Sequence, residues 1–93
     1  MRQLVYTKVA VDDLQRLRAF IAERDPRSAG RVAAELGQRI TKLCEFPLIG
    51  RTVPEAPDPE VVRDMVFGGY VVRYAVHPEI VAILRIWHHF EAR

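Results

Sequence analysis

The first half of the chain places its apolar residues at helical spacing. The opening QLVYT alternates and predicts a short strand. The segment VAVDDLQRLRAFIAERD that follows predicts an amphipathic helix with the apolar stripe Val11, Leu14, Leu17, Phe20 and Ile21. Asp12 or Asp13 is expected in its first turn, where a carboxylate suits the helix dipole. A strand followed by a helix is therefore predicted for residues 3–25.

A second helix is predicted to begin at Asp25-Pro26, because Asp is a good N-cap and Pro is tolerated at the first helical position. Its buried stripe would be Val32, Leu36, Ile40, Leu43 and Cys44. Small residues recur on another face of this helix: Gly30, Ala33, Ala34 and Gly37. Gly inside a helix costs about 1 kcal/mol relative to Ala, so we expect the first helix to pack closely there. The two helices would form a hairpin that ends near Pro47.

The second half predicts a three-stranded antiparallel meander, VVRDMVF, YVVRYAV and IVAILRIWHH. Gly68-Gly69 between the first two strands indicates a two-residue hairpin turn, which pairs Phe67 with Tyr70 and Asp64 with Arg73. A three-residue loop, 77–79, would pair Val76 with Ile80. The predicted fold class is therefore α+β: an N-terminal strand, a helical hairpin and a three-stranded meander.

This register assigns each strand residue to one of two faces, because side chains alternate along a strand. The face against the helices would hold Met65, Phe67, Tyr70, Val72, Tyr74, Val76, Ile80, Ala82, Leu84 and Ile86. The open face, available to a partner, would hold Val62, Asp64, Val66, Val71, Arg73, Ala75, Val81, Ile83, Arg85, Trp87 and His89. A two-residue second turn would move Arg85 to the other face.

The seam between the halves, FPLIGRTVPEAPDPEVVRD, contains four prolines that forbid a helix. Gly50 is expected to allow a backbone turn that other residues resist. We expect Arg51 to tie this loop to the domain by pairing with Glu23, Glu55 or Asp64. A structural pair is likewise expected for Arg63, and a cross-strand pair for Asp64 with Arg73.

Composition sets the broad class. Ninety-three residues, 49% hydrophobic and 28% charged, fit one globular domain over residues 1–93. Residues 1–46 hold nine Lys and Arg against six Asp and Glu, whereas residues 47–93 hold five against six, so the basic excess lies on the helical half. With one cysteine, no signal-peptide pattern and no apolar run long enough for a bilayer, the sequence predicts a cytoplasmic protein that needs no membrane.

The chemistry-bearing residues indicate no cofactor. His88 and His89 are adjacent and would point to opposite faces of a strand, and no third ligand stands at zinc spacing, so we expect no metal site. Cys44 lies on an apolar stripe and is expected to be a core residue. There is no P-loop, dinucleotide turn or nucleophile elbow. Trp87 could stack on a base or anchor a partner's peptide.

The order of these elements resembles one protein family. The YTKVAVDDL entry, FPLIGRTVP, VVRDM, GYVVRYAV and the ending IVAILRIWHH, continued as IWHHFEAR, are together similar to the RelE/ParE superfamily of toxins from bacterial type II toxin–antitoxin systems. The resemblance covers nearly the whole chain. It implies a small cytoplasmic toxin that is neutralised by a cognate antitoxin in a hetero-oligomer.

The superfamily divides by target, and the resemblance implies one of two functions. ParE-type members inhibit DNA gyrase, whereas RelE-type members cut mRNA in the ribosome with basic residues and an acid–base group. The long helices and the Pro-x-x-Gly-Arg seam look more like ParE, so we expect a gyrase inhibitor with no catalytic residue. In the nuclease alternative, His89 would be the general acid and Arg73 and Arg85 would stabilise the phosphorane.

Binding residues are expected on both halves. The candidates for contact with a ParD-like antitoxin or with the target are Arg16, Arg31, Arg51, Arg63, Arg73, Arg85, Trp87 and His89. Around the hairpin, antitoxin carboxylates would meet Arg16, Arg18, Arg24, Arg31 and Arg39. The antitoxin would contribute an extended segment, with a helix packed in a groove and strand addition at a sheet edge.

Overall fold

The computed structural model describes residues 1–91 and contains a strand, two helices and then four strands. The elements are β1 (Gln3–Tyr6), α1 (Lys8–Arg24), α2 (Ala29–Lys42), β2 (Arg51–Thr52), β3 (Val62–Phe67), β4 (Tyr70–Val76) and β5 (Ile80–His88). The predicted α+β class and the meander of β3, β4 and β5 are confirmed. Ala92 and Arg93, the last letters of IWHHFEAR, lie outside the described residues.

The five strands form one sheet in the order β1-β5-β4-β3-β2. β1 runs parallel to β5, and the other neighbours are antiparallel. The sequence did not predict β2, in which two residues of the seam extend the sheet beyond β3. The helices cover one face, where the core lies between Leu17, Ile40, Val72, Tyr74 and Ile86.

Helix α1 begins at Lys8, so Asp12 and Asp13 lie beyond its first turn. The Thr7 hydroxyl caps it by accepting a hydrogen bond from the Ala10 N–H at 3.1 Å. No acidic residue lies in the first turn, so the prediction that Asp13 serves the helix dipole is wrong. Val11 from the predicted stripe is exposed, whereas Asp13 is 2% exposed and occupies the buried face of the helix.

Helix α2 begins at Ala29 rather than at Pro26, and Asp25 belongs to the turn between the helices. The Asp25 N–H donates to the Ile21 carbonyl at 2.8 Å, while the Asp25 Oδ1 accepts from the Ser28 N–H at 3.3 Å. The buried stripe is confirmed, with Leu36, Ile40, Leu43 and Cys44 buried and Val32 partly buried. The prediction that α1 packs closely against the small residues of α2 is wrong, because a Cβ added to Gly30 or Gly37 would meet nothing within 4 Å.

The β3–β4 hairpin has the predicted register, with Phe67 opposite Tyr70 and Asp64 opposite Arg73. Gly68 and Gly69 have φ angles of 54° and 88°, which L side chains rarely adopt. Gly69 is also crowded, since a Cβ there would lie 2.7 Å from the His88 Nε2. The turn therefore needs glycine for its backbone and for the space beside β5.

The predicted β4–β5 register is wrong by one residue. Val76 pairs with Val81, so Val81 and Ile83 point into the core, where each is 0% exposed. A β-bulge then places Leu84 as an extra residue on β5, and pairing resumes with Arg73 opposite Arg85. Because the bulge adds one residue to β5, Arg85 lies on the open face, as predicted.

The Tyr74 hydroxyl holds the seam against the sheet. It donates to the Pro47 carbonyl at 2.7 Å and accepts from the Gly50 N–H at 2.9 Å. A Cβ on Gly50 would lie 2.5 Å from that hydroxyl and 2.9 Å from the Asp64 carbonyl oxygen. Within residues 1–91 only Gly68 and Gly69 have positive φ, so the predicted backbone role of Gly50 is wrong. Glycine is needed at this position for space.

Gly50→Ala is expected to destabilise the protein by about 1–3 kcal/mol, because the new methyl group must displace Tyr74 or the β3 backbone. Gly37→Ala is the matched control: its methyl group enters open space on a helix and should stabilise the fold by up to about 1 kcal/mol. The free energy of unfolding from urea titration measures both. Equal effects of the two substitutions would contradict the steric role of Gly50.

Candidate functional site

Four charged residues form a row across the open face of the sheet. Cross-strand pairing places Arg51 beside Asp64, Asp64 beside Arg73, and Arg73 beside Arg85, on four adjacent strands. Directly paired residues share a face, so the side chains form one line, here called the arginine row. Arg73 and Arg85 are like charges in neighbouring positions, an arrangement that costs free energy unless carboxylates compensate.

Asp64 compensates Arg73. The Arg73 Nε and Nη2 donate to the two carboxylate oxygens of Asp64, each at 2.9 Å. These hydrogen bonds raise the pKa of Arg73. The guanidinium also lies 5.3 Å from the centroid of the Trp87 ring, a cation–π contact on the open face. The predicted Asp64–Arg73 pair is confirmed.

Asp13 compensates Arg85 from the buried face of α1. Its carboxylate accepts from the Arg85 Nε at 2.8 Å, the Arg16 Nη1 at 2.5 Å and the Ile86 N–H at 2.8 Å. Burial alone would raise the pKa of Asp13, but the hydrogen bonds from Arg85, Arg16 and Ile86 outweigh it and lower the pKa to about 2. Sequence reasoning missed this role. The available signal was a carboxylate at helical spacing between the apolar residues Ala10 and Leu17.

Asp13 belongs to a cluster of four charged residues, Asp13, Arg16, Arg85 and Glu91, here called the edge clamp. The Arg16 Nε donates to Glu91 at 2.7 Å, and the Arg16 Nη2 donates to the Ile86 carbonyl at 3.0 Å. Glu91 accepts from the His88 N–H at 2.9 Å. β1 ends opposite Ile83, so side chains replace the missing strand along the last residues of β5.

The structure contradicts the prediction for Arg51 and confirms the one for Arg63. Arg51 is exposed, and within residues 1–91 no carboxylate lies within 4.0 Å of it, so the predicted ion pair is wrong. Asp64 is already occupied by Arg73. The structural role of Arg63 is confirmed: its Nη1 donates to the Gly50 carbonyl at 2.9 Å and thereby holds the seam.

The two histidines do not point to opposite faces. β5 ends at His88, and the two rings stack with centroids 4.8 Å apart. His88 is 9% exposed and packs against Phe20 and Tyr70, and burial lowers its pKa, with further contributions from His89 and Arg24. His89 is exposed, and its Nδ1 lies 3.1 Å from the Gly69 carbonyl oxygen.

The structure therefore does not bring the three candidate nuclease residues together. Arg73 and Arg85 are neighbours in the arginine row. His89 lies four residues beyond Arg85, or about 13 Å along an extended chain, and is turned towards the β3–β4 hairpin. The prediction that His89 shares the open face is wrong, because the strand ends one residue before it.

The arginines of the hairpin fall into two groups. Arg16 and Arg31 have internal carboxylate partners, Glu91 at 2.7 Å and Glu35 at 3.1 Å. Arg18, Arg24 and Arg39 are exposed and lie more than 4.0 Å from any carboxylate of the described residues. The guanidinium groups of the second set are therefore available to pair with carboxylates of a partner.

Comparison with known proteins identifies the family. The model of the ParE toxin of the type II toxin–antitoxin system parDE matches residues 4–93. The chain is 37% identical to toxin RelE1 of Caulobacter vibrioides over 87% of its length and 86% of the relative, and 38% identical to toxin RelE2 of the same organism over 95% and 96%. The chain belongs to the ParE toxin family. It is a type II toxin of the ParE/RelE superfamily.

Solved structures share the fold of this ParE-family toxin. A chain of a chromosomal ParDE toxin–antitoxin system from P. aeruginosa superposes with a TM-score of 0.77 at 22% identity, covering 95% of this chain and 96% of the other. A chain of the RelBE2 toxin–antitoxin complex from Mycobacterium tuberculosis gives a TM-score of 0.69 at 22% identity, covering 94% and 96%. At this identity the likeness concerns the fold alone.

The described part of this ParE-family chain offers neither a metal site nor a reactive cysteine. Residues 1–91 contain no cluster of three histidine, cysteine or acidic side chains placed to hold a metal ion, and none of their helices is long and apolar enough to cross a membrane. Cys44 is buried as predicted, and burial raises the pKa of its thiol. A neutral, buried thiol is a poor nucleophile.

Asp13→Asn is expected to destabilise the toxin by about 2 kcal/mol at pH 7. A carboxyl group whose pKa is lower in the folded than in the unfolded state stabilises the fold at pH values above its unfolded-state pKa. That contribution is present above pH 4 and is lost as the pH falls from 3.8 towards 2. Urea titrations of the wild type and the variant at pH 7, 4, 3 and 2 measure the difference. A difference that stays constant down to pH 2 would contradict the assigned ionic role.

Proposed function

We propose that this toxin arrests growth by inhibiting DNA gyrase in the cytoplasm and that a cognate ParD-like antitoxin neutralises it in a hetero-oligomer. The observation that carries the choice of target is the state of the open-face arginines. Arg73 is held by Asp64 and Arg85 by Asp13. Inhibition of an enzyme by binding requires contacts but no proton transfer, and this surface is suited to contacts.

The same observation weighs against RNA cleavage. A nuclease must stabilise charge that develops on the phosphorane and must protonate the leaving oxygen from a group within hydrogen-bond reach. Asp64 and Asp13 offset the positive potential of the two arginines, and an approaching phosphate would meet these carboxylates. His89 is turned towards Gly69 and lies far from both.

Ribosome-dependent mRNA cleavage remains the second candidate, because one feature favours it. Arg73 and Arg85 lie side by side on the open face, and the Nη1 of each donates no hydrogen bond within residues 1–91. Two such donors could bind one phosphate. The curated relatives in Caulobacter vibrioides carry the name RelE.

Two surface features and the origin of the solved relatives support an antitoxin partner. The solved relatives come from toxin–antitoxin systems. The helical hairpin leaves an apolar groove of about 190 Å³ beside Leu14, Leu36 and Gly37. The seam exposes Phe46, Leu48 and Ile49 by 51%, 65% and 59%, next to the free edge of β2. These surfaces suit a segment that packs a helix in the groove and adds a strand to the sheet.

His89→Gln separates the two candidate functions. For a gyrase inhibitor, no bond-breaking step depends on the imidazole, so growth arrest and inhibition of supercoiling should stay within about twofold of the wild type. Purified wild-type toxin should inhibit gyrase supercoiling, and ribosomes programmed with mRNA should show no new cuts. The control is the melting temperature, which should not change, because the contacts of His89 with residues 1–91 are to the β3–β4 turn and its neighbouring rings.

The opposite pattern would promote the nuclease. In that case the toxin would cut mRNA on the ribosome, His89→Gln would lower the cleavage rate by about 10²-fold or more, and gyrase would be unaffected. Growth arrest by itself does not choose a target. Both biochemical assays are therefore required on the same protein preparation.

A further inference from the structure

A second cavity lies beside the turn between α1 and α2, on the face of the sheet opposite to the arginine row. Its volume is about 270 Å³, and its walls are aromatic: Phe20 from α1, Phe67 from β3, Tyr70 from β4 and His88 from β5. Val32 of α2 closes another side. We name this opening the aromatic pocket. Four elements meet around it, so it is part of the rigid body of the fold.

Two arginines without carboxylate partners lie against the walls of the aromatic pocket: Arg24 is one of its lining residues, and Arg39 contacts the Phe67 ring. The Arg24 guanidinium carbon lies 5.3 Å from the Phe20 ring centroid, and the Arg39 guanidinium carbon lies 4.2 Å from that of Phe67. Neither has a carboxylate within 4.0 Å among residues 1–91, whereas five other arginines of the same residues do. Both guanidiniums are exposed and have hydrogen-bond donors available.

We infer that the aromatic pocket receives an aromatic side chain of the antitoxin whose neighbouring carboxylates pair with Arg24 and Arg39. The inference rests on the proposed antitoxin partner and adds the chemistry that recognises it. Aromatic walls bind a neutral ring by edge and face contacts. The two arginines against these walls repel a cationic guest and attract an acidic one.

Size and polarity favour a peptide over a nucleotide. The pocket is smaller than the roughly 300–1,000 Å³ of typical ligand sites and has the capacity of one or two side chains. The Nδ1 of His88 already accepts a hydrogen bond from the Phe90 N–H at 3.1 Å. A base would need partners for its polar edge, and the phenylalanine walls offer none. A phenyl or indole ring makes fewer such demands.

The Asp25 carboxylate adds one negative charge to the lining of the pocket, but it lies more than 4.0 Å from both arginines. Its Oδ1 accepts a hydrogen bond from the Ser28 N–H in the turn between the helices. Arg24 therefore keeps its hydrogen-bond donors for an external carboxylate. The desolvated aromatic contacts supply most of the binding energy, and the arginines select an acidic neighbour.

The first test measures affinity for the antitoxin, taken as the product of the reading frame adjacent to the toxin gene. The double substitution Arg24→Glu with Arg39→Glu should weaken binding at least tenfold and reduce its dependence on salt. Val32→Phe, which fills the pocket, should also weaken it at least tenfold. Lys8→Glu is the matched control: Lys8 is exposed at the other end of α1 from Arg24, has no ion pair within residues 1–91, and its reversal should leave affinity within twofold.

The second test needs no antitoxin. Two capped hexapeptides, one with a single Trp among Glu residues and one with the same Trp among Lys residues, are titrated into ¹⁵N-labelled toxin. The acidic peptide should shift the amide resonances of Val32, Gly68 and Tyr70, and the basic peptide should not. Equal shifts with both peptides, no shift with either, or shifts only with a single-stranded oligonucleotide would overturn the inference.

The inference and the proposed function fail in different ways. A double variant that still arrests growth but is not rescued by the antitoxin supports the inference and the assignment as a toxin, and the gyrase assay then decides the target. A double variant that binds the antitoxin as tightly as the wild type overturns the inference and leaves the toxin assignment intact. A wild-type chain that neither arrests growth nor inhibits gyrase overturns the proposed function, and the peptide titration still decides the pocket. Circular dichroism melts of each variant separate lost contacts from lost folding.

Discussion

The carboxylate of Asp13 is the contact on which the arrangement of helix, sheet and open face depends. β1 covers β5 only as far as Ile83, which leaves the backbone of Ile86 without a neighbouring strand on the β1 side. Asp13 and Arg16 replace that strand from helix α1, and Arg85 joins the same carboxylate from the open face. One buried group therefore fixes the position of α1, closes a sheet edge and neutralises an arginine. Loss of this buried carboxylate costs more than loss of an exposed ion pair, because the Ile86 N–H and two arginines lose their acceptor.

The parts of the fold that the sequence predicted are those set by local chemistry. The Gly68-Gly69 turn fixes the β3–β4 register, because a two-residue turn with positive φ allows one pairing. The longer loop before β5 sets no register, and the burial of Val81 and Ile83 was consequently missed. The predicted face of Arg85 was nevertheless correct. The bulge at Leu84 adds one residue to β5, and this shift cancels the one-residue error in the predicted register.

The ion pairs of the candidate site were harder to predict, for a physical reason. A sequence shows which charges exist, but the choice of partner depends on distances between distant segments. Asp64 had two candidate partners in adjacent strands, Arg51 and Arg73, and the bidentate geometry with Arg73 prevails. Asp13 could be recognised only as a polar residue in an apolar stripe. Gly50 was predicted to provide backbone freedom, but glycine is needed there for the space beside Tyr74, which is 24 residues away.

The distribution of satisfied and unsatisfied arginines gives the two faces different capacities. On the open face, Arg73 and Arg85 already contribute much of their charge to Asp64 and Asp13, and their remaining attraction for an external anion is weakened. At the end of the hairpin, Arg24 and Arg39 rest on aromatic rings and have no carboxylate to neutralise them within residues 1–91. An acidic partner therefore gains more from the hairpin, where new ion pairs form without the loss of old ones. This difference supports the proposal that the antitoxin is recognised on the helical side, and it leaves the sheet face for the proposed target.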